Sequence, residues 1–196
     1  MIDLKKAMDD ADRYLDDLKG LIAAIGTAPF GEVAKALGKA RDEGRMIFVV
    51  GNGGSAATAN HFYCDFGKNA AGPDDKRFRI CTLAEQVCAI TALGNDCGYE
   101  KTFSMQLANL FTDGDVLISI SASGNSPNVV EAAEYAKGRG GLLISLTGFG
   151  GGRLAAISDI SLNVASDSYE RVEDAHLAMC HMIVWMFKMQ RKGLAV

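Results

Sequence analysis

The sequence predicts an α/β fold in which helices cover both faces of a parallel β-sheet. Three observations carry this prediction. Short apolar runs bounded by Gly, Asp or Ser recur along the chain, as expected for strands buried on both faces. Segments with helical periodicity separate these runs, an alternation typical of parallel sheets. The composition, with 48% hydrophobic and 22% charged residues among 196, suits a globular chain with a sizeable core. We therefore predict one domain over residues 1–196.

The first 44 residues are predicted to be helical. Residues 3–26 place apolar side chains at helical spacings with charged residues between them. These side chains are Leu4, Met8, Leu15, Leu18, Ile22 and Ile25. A second helix is predicted over 31–44, ending near Gly44. We expect this N-terminal segment, residues 1–44, to pack on the core.

The predicted sheet follows this segment. Its strands are 46–50, 78–83, 115–121, 142–148 and 160–164. The helices between and after them are 55–66, 84–93, 99–111, 127–138 and 169–191. The glycine cluster GFGGG at 148–152 is predicted to be a flexible connection.

Composition and charge narrow the function classes. A net charge of -4 gives no electrostatic reason to expect nucleic acid or an anionic membrane as a partner. The five cysteines are odd in number and form no C-x-x-C pair, which favours reduced thiols in a cytoplasmic protein. No apolar run approaches the ~20 residues that span a bilayer. The N-terminus, MIDLKKAMDD, lacks the apolar stretch of a signal peptide.

Two turns rich in glycine and serine follow predicted strands. GNGGS at 51–55 and SASGNS at 121–126 each precede a predicted helix. Ligands of parallel sheets bind where strands end and helices begin, and free N–H groups at a helix N-terminus attract anions. Hydroxyl groups are supplied by Ser55, Ser121, Ser123 and Ser126. We predict a site for a sugar phosphate or a similar small anion.

Other interpretations of these turns remain open. Each can be an ordinary strand-to-helix turn with an N-cap. GNGGSA also fits the G-x-G-x-x-A form of the dinucleotide fingerprint, but no acidic residue ends the second strand to bind a ribose hydroxyl. Neither turn is a P-loop, because no Gly-Lys-Ser/Thr follows.

Histidine spacing indicates a candidate metal or acid–base site. His61 and Asp65 lie four residues apart, on one face of the helix after the first turn. His181 follows Glu173 by eight residues, about 12 Å along a helix, so spacing alone does not establish that they meet. Plainer interpretations are a surface hydrogen bond for His61 and Asp65, and a core position for His181. His176 can be the partner of a neighbouring acid.

Five motifs, in order along the chain, carry a resemblance to a known family. They are GNGGSAATANHF, GNDCGYEKTF, ISASGNSPNVVEAA, LTGFGGGRLAAISDI and ERVEDAHLAMCH. Together they resemble the sedoheptulose-7-phosphate isomerase (phosphoheptose isomerase) branch of the sugar isomerase (SIS) family, over essentially the whole chain. The resemblance implies a single SIS domain, with a five-stranded parallel sheet of flavodoxin-like type between helices.

The resemblance also implies an activity, a cofactor and an assembly. The family reaction is aldose–ketose isomerisation of sedoheptulose 7-phosphate to D-glycero-D-manno-heptose 7-phosphate, which feeds heptose synthesis for bacterial lipopolysaccharide. Members bind zinc, so a divalent ion is expected in each active site. They form homotetramers with active sites at subunit interfaces, so residues 1–44 are expected to contact a neighbouring subunit.

The same resemblance assigns roles to individual residues. The implied substrate-binding residues are Asn52, Gly53, Gly54, Ser55, Asn95, Asp96, Ser121, Ser123, Ser126 and Glu173. The implied metal ligands are His61, Asp65, Glu173 and His181. The implied catalytic residues are Asp65, Glu173 and His181.

Two of these positions depart from the family pattern. Asp65 stands where the family has a glutamate that acts as ligand and base, so its carboxylate is withdrawn by about one C–C bond. Misplacement on this scale can cost ~100-fold in rate. Glu173 stands where the family has a glutamine ligand, and it adds a negative charge. We hypothesise that Glu173 takes over part of the base role that the shorter Asp65 has lost.

Two alternatives to an isomerase remain. Some SIS relatives bind a replication initiator without catalysis, but HLAMCH keeps a histidine at the matching catalytic position. A sugar-phosphate-binding protein with an altered site fits Asp65 and Glu173 equally well.

Overall fold

The computed structural model describes residues 2–191 and 193. The strands are β1 (Met46–Gly51), β2 (Arg79–Thr82), β3 (Val116–Ser121), β4 (Leu142–Thr147) and β5 (Ile160–Asn163). The α-helices are α1 (Leu4–Ala24), α2 (Ala28–Glu43), α3 (Gly53–Asn69), α4 (Val87–Asp96), α5 (Ser104–Leu110), α6 (Pro127–Gly138), α7 (Gly152–Ile157) and α8 (Tyr169–Arg191). All five predicted strands are confirmed.

The strands form one sheet in the order β2-β1-β3-β4-β5, and every neighbouring pair is parallel. This is the flavodoxin-like order, as predicted. The order reverses between β1 and β3, and ligands bind at such a switch point. Gly51 at the end of β1 is in register with Ile120 of β3, so the turns that follow the two strands lie side by side.

Two hydrophobic clusters cover the two faces of the sheet, because successive residues of a strand point to opposite faces. On β1, Ile47 and Val49 pack in the cluster formed with α2, α3 and α8. Phe48 and Val50 pack in the cluster formed with α5, α6 and α7. All four side chains are fully buried, and burial of each contributes about 1.5–3 kcal/mol to stability.

Two predicted segments differ from the structure. The helix predicted over 99–111 is divided into a 3-10 turn, Tyr99–Lys101, and α5. Between them the Thr102 hydroxyl donates to the Tyr99 carbonyl at 2.8 Å, a local hydrogen bond that competes with the helical ladder. The second difference is α7, a helix that was not predicted. It begins at Gly152, the last residue of the glycine cluster at 148–152.

The first helix lies on α8 without a fully buried side chain of its own. Two polar contacts join the helices. The Tyr14 hydroxyl donates to Asp174 at 2.5 Å, and Arg171 pairs with Asp17 at 2.8 Å. The apolar side chains of α1 that stay more than half exposed are Leu4, Met8 and Leu15. They recur at helical spacing and form what we call the α1 stripe.

Within residues 2–191 and 193, no single helix is long and apolar enough to cross a membrane. Only α1 and α2 taken together, bent by 64°, reach that length and composition.

Candidate active site

The turn after β1 opens α3 with its glycines. Asn52 is the N-cap residue in an extended conformation, and Gly53 begins the helix at φ +51°, a value that favours glycine. The side-chain amide of Asn52 exchanges two hydrogen bonds with that of Asn128, at 2.8 and 2.9 Å. Asn128 is fully buried on α6, so this amide pair ties the first turn to the helix that follows the second.

The turn after β3 presents its serines beside the first turn. The hydroxyls of Ser121 and Ser126 are 3.2 Å apart, and Ser126 is the N-cap residue of α6. The Ser123 hydroxyl accepts from the Asn125 N–H at 3.2 Å. Two helices, α3 and α6, therefore begin at the same place, and the positive ends of their dipoles favour an anion.

A cavity of about 220 Å³ lies between the two turns. Most of its lining had been predicted from the sequence. The lining residues are Asn52, Gly53, Gly54, Ser55, Ile120, Ser121, Ala122, Ser123, Ser126, Tyr169 and Glu173. The two predicted turns thus form one site, whose size and polar lining suit a small anion.

Helix α8 supplies the remaining side of the cavity through Tyr169 and Glu173, which lie one helical turn apart. A Cβ added to Gly54 would collide with the Glu173 carboxylate, so that carboxylate lies against the first turn of α3. Tyr169 had not been predicted as a site residue. Its position four residues before Glu173 on a predicted helix is the signal that could have identified it.

The glycine cluster at 148–152 is ordered by the serine turn. An added Cβ on Gly124 would collide with the Gly151 carbonyl, so the two backbones are in close contact. The Leu154 N–H donates to the Gly124 carbonyl at 3.0 Å, and the Arg153 N–H donates to Asn125 Oδ1 at 2.9 Å. The segment predicted to be a flexible connection thus makes defined contacts with its neighbour, and its last glycine begins α7.

A second group of polar side chains joins α3 to α8. The Nε2 atoms of His61 and His181 are 2.8 Å apart. Asp65 Oδ2 lies 3.4 Å from His61 Nε2 and 3.6 Å from His181 Nε2. We call these three residues the histidine cluster. Two imidazoles and a carboxylate are a usual zinc ligand set, and three protein ligands leave a position open as in catalytic sites.

Three other predicted site residues lie apart from the histidine cluster. Glu173 is not brought to it, because His181 lies eight positions after Glu173 on α8, about 12 Å along the axis. Asn95 and Asp96, at the end of α4, are exposed, bond to each other at 2.7 Å and do not line the cavity. Nearby, the Tyr99 hydroxyl donates to Asn52 Oδ1 at 3.0 Å, a contact that sequence reasoning missed.

The two histidines of α8 do not lie where their plainer interpretations placed them, which were the core for His181 and a neighbouring acid for His176. His181 is exposed and belongs to the histidine cluster, so the interpretation as a core histidine is wrong. His176 is fully buried, and no acidic side chain among the described residues bonds to either ring nitrogen. It is therefore not the partner of an acid. Burial lowers the pKa of His176 to about 4, against a smaller opposing influence of the Thr147 backbone.

Comparison with known proteins gives one consistent family. Residues 13–148 match the model of the SIS domain. The chain is 41% identical over 164 residues to the phosphoheptose isomerase of Trichlorobacter lovleyi, with 80% of each chain covered. It is 35% identical to the probable phosphoheptose isomerase of Thermoplasma acidophilum, covering 90% of this chain and 97% of that one. The structure of phosphoheptose isomerase GmhA from Neisseria gonorrhoeae superposes with a TM-score of 0.85 at 31% identity, covering 93% of this chain and 97% of that one.

Proposed function

The chain belongs to the SIS domain family and, within it, to the phosphoheptose isomerases, and from that premise we propose that it interconverts sedoheptulose 7-phosphate and D-glycero-D-manno-heptose 7-phosphate. The observation that carries the proposal is the cavity between two helix N-termini, with a cluster of proton-transfer and metal-binding groups farther along the same helices, α3 and α8. The two alternatives, a replication-initiator partner and a sugar-phosphate-binding protein, gain no support from the relatives, which are named as isomerases.

The phosphate group is bound at the two turns. Ser55, Ser121, Ser123 and Ser126 supply hydroxyl donors, and the N-terminus of α3 supplies free N–H groups. Gly53 and Gly54 allow close approach because they have no side chain. Asn95 and Asp96 remain proposed sugar contacts. In that role, the sugar would extend beyond the cavity to the end of α4.

A divalent zinc ion is proposed at the histidine cluster, held by His61, Asp65 and His181. When bound, zinc would supply Lewis-acid polarisation of the substrate carbonyl. Along α3, His61 lies six residues beyond Ser55, a rise of about 9 Å. The helix therefore sets the distance between the phosphate end of the substrate and the histidines.

Proton transfer between adjacent carbons needs a positioned base. Glu173 is the only carboxylate among the described residues that line the cavity, whereas Asp65 faces the two histidines. We propose Glu173 as the group that takes the proton, with His181 as the acid–base partner. Glu173 is also proposed as a fourth metal ligand, a role in which its side chain would turn away from Gly54.

The assembly, compartment and pathway are also proposals. A homotetramer with active sites at subunit interfaces is supported by the exposed α1 stripe on residues 1–44. The net charge and cysteine pattern favour a cytoplasmic protein without nucleic-acid or membrane partners. Its product would enter heptose synthesis for lipopolysaccharide.

Turnover of sedoheptulose 7-phosphate tests the proposal directly. The purified protein is incubated with the ketose phosphate, with and without added zinc, and the aldose phosphate is separated and quantified. We expect zinc-dependent formation of the aldose. No product under either condition would exclude the proposed reaction.

A further inference from the structure

Phe149 adopts a backbone conformation that only glycine adopts without strain. Its φ is +52°, and it is the only non-glycine residue with a positive φ among residues 2–191 and 193. Both neighbours, Gly148 and Gly150, are glycines, so the sequence around it already permits such a turn. A phenylalanine in this region costs stability, and such outliers cluster at functional sites.

The backbone at Phe149 is held from both sides. Its N–H donates to the Ser166 carbonyl at 2.8 Å, and the Asn163 amide donates to its carbonyl at 3.4 Å. In this conformation its ring lies 5.1 Å from the ring of Tyr169, at an interplanar angle of 60°. This is the separation of a favourable aromatic pair.

Tyr169, the partner of Phe149 in this aromatic contact, lines the cavity. It is the sole aromatic residue among the described residues that line the cavity, and 56% of its surface is exposed. It is the first residue of α8, just after Ser168, whose hydroxyl accepts from the Arg171 N–H at 3.4 Å. The helix start fixes the Tyr169 backbone, and Phe149 supports one side of its ring.

We propose that Tyr169 binds the sugar portion of the sugar phosphate, and that Phe149 is a positioning residue for it. The proposal deepens the proposed function and rests on it. The serines and helix ends recognise the phosphate, which every sugar phosphate shares. The Tyr169 ring offers an apolar face to the C–H groups of the sugar next to the phosphate, and its hydroxyl offers a donor to a sugar hydroxyl.

The residue at position 149 supports the proposed role of Phe149 in positioning Tyr169. Glycine would form the same turn without strain, and asparagine would form it with little. Phenylalanine adds only a side chain that packs on the core edge and on Tyr169. The ring contacts with the core edge and with Tyr169 are therefore the features that the strained backbone supports.

Steady-state kinetics of matched variants test the proposal. Tyr169→Leu removes the ring, and Tyr169→Phe keeps it. Phe149→Asn keeps the left-handed turn without the ring, and Phe149→Tyr restores the aromatic contact. We expect KM for sedoheptulose 7-phosphate to rise about 3- to 10-fold in Tyr169→Leu and Phe149→Asn, with kcat changed less than 2-fold. The aromatic variants should recover most of this loss.

Inorganic phosphate is the control ligand, because it contacts only the turns. Its inhibition constant should stay within 2-fold of the parent in all four variants. An unchanged KM in Tyr169→Leu and Phe149→Asn would overturn the proposal. So would equal rises in KM and in the phosphate inhibition constant, since these would indicate general damage to the site.

Direct binding separates this proposal from the proposed reaction. If the parent binds sedoheptulose 7-phosphate in calorimetry but does not isomerise it, the reaction is excluded and Tyr169 is still tested. Weaker binding of the sugar phosphate in Tyr169→Leu, with phosphate binding retained, would then support the proposal. The proposal would be contradicted if Tyr169→Leu bound both the sugar phosphate and phosphate with the affinity of the parent. It would also be contradicted if the parent did not bind the sugar phosphate.

Discussion

The carboxylate of Glu173 occupies the space next to Gly54 where a side chain at position 54 would begin. The two residues lie on α8 and α3, so their contact closes the cavity between these helices. The Glu173 carboxylate can therefore lie in this place only because residue 54 has no side chain.

Gly54→Ala is expected to lower kcat/KM by about 10- to 100-fold, because the added methyl group displaces Glu173. The free energy of unfolding should change by less than about 1 kcal/mol, since the carboxylate is the free end of a flexible side chain. Gly67→Ala on the same helix is the control: its methyl would meet Ile80 at 3.4 Å, an ordinary contact. It should keep parental turnover. Parental turnover in Gly54→Ala would show that the position of Glu173 is unimportant.

Glu173→Gln tests the proposed base. The change keeps the shape of the side chain and removes its capacity to take a proton, so kcat should fall by about 10²- to 10⁴-fold. Glu170→Gln is a matched control, because Glu170 lies on the same helix and bonds to Ser168 outside the cavity. Turnover in Glu173→Gln equal to or above the parent would refute the assignment.

Loss of either histidine of the cluster should weaken zinc binding. His61→Ala or His181→Ala removes one of three ligands, so we expect at least a ~100-fold weaker affinity in chelator competition. Zinc at about 100 times its Kd should stabilise the parent by about 2.7 kcal/mol and the variants much less. Cys64→Ser, on the same helix but outside the cluster, should bind zinc like the parent. Equal zinc content in all four proteins would exclude this site.

Stability should depend on pH through His176. Its pKa is about 4 when folded and near its ordinary value of 6.5 when unfolded, so the unfolded chain binds the extra proton between these values. Stability is therefore complete above pH 6.5 and falls as the pH drops toward 4, by about 3 kcal/mol in total. Urea unfolding at pH 7 and pH 4.5 should show a smaller pH effect in His176→Leu than in the parent. Identical pH effects would contradict this expectation.

Charges on the α1 stripe should disrupt the proposed tetramer. Met8→Glu combined with Leu15→Glu places two carboxylates on its exposed apolar surface, where burial against another subunit would desolvate them. We expect light scattering to give a smaller assembly than for the parent. Lys6→Glu, on the opposite side of α1, should leave the mass unchanged. If the double variant had the same mass as the parent, the α1 stripe would not be part of the subunit interface.

Buried strands were predictable because a continuous apolar run such as MIFVV has few other uses in a globular chain. The two turns were predictable because helix starts after parallel strands need small polar residues. Helix α7 was not predictable in the same way: its order comes from backbone contacts of Gly124 with Gly151 that no local pattern reports. Likewise, nothing in the spacing of Glu173 and His181 says that one lines the cavity and the other belongs to the histidine cluster.

The close backbone contact between the serine turn and the glycine cluster constrains how this site can change. Gly124 and Gly152 tolerate no side chain there, because an added Cβ would strike the Gly151 carbonyl in one case and the Ser123 carbonyl in the other. A substitution at Gly124 or Gly152 would therefore require a shift in the backbone of the other loop. Directed evolution toward a new sugar phosphate should therefore randomise the first turn of α8, where one residue can change at a time.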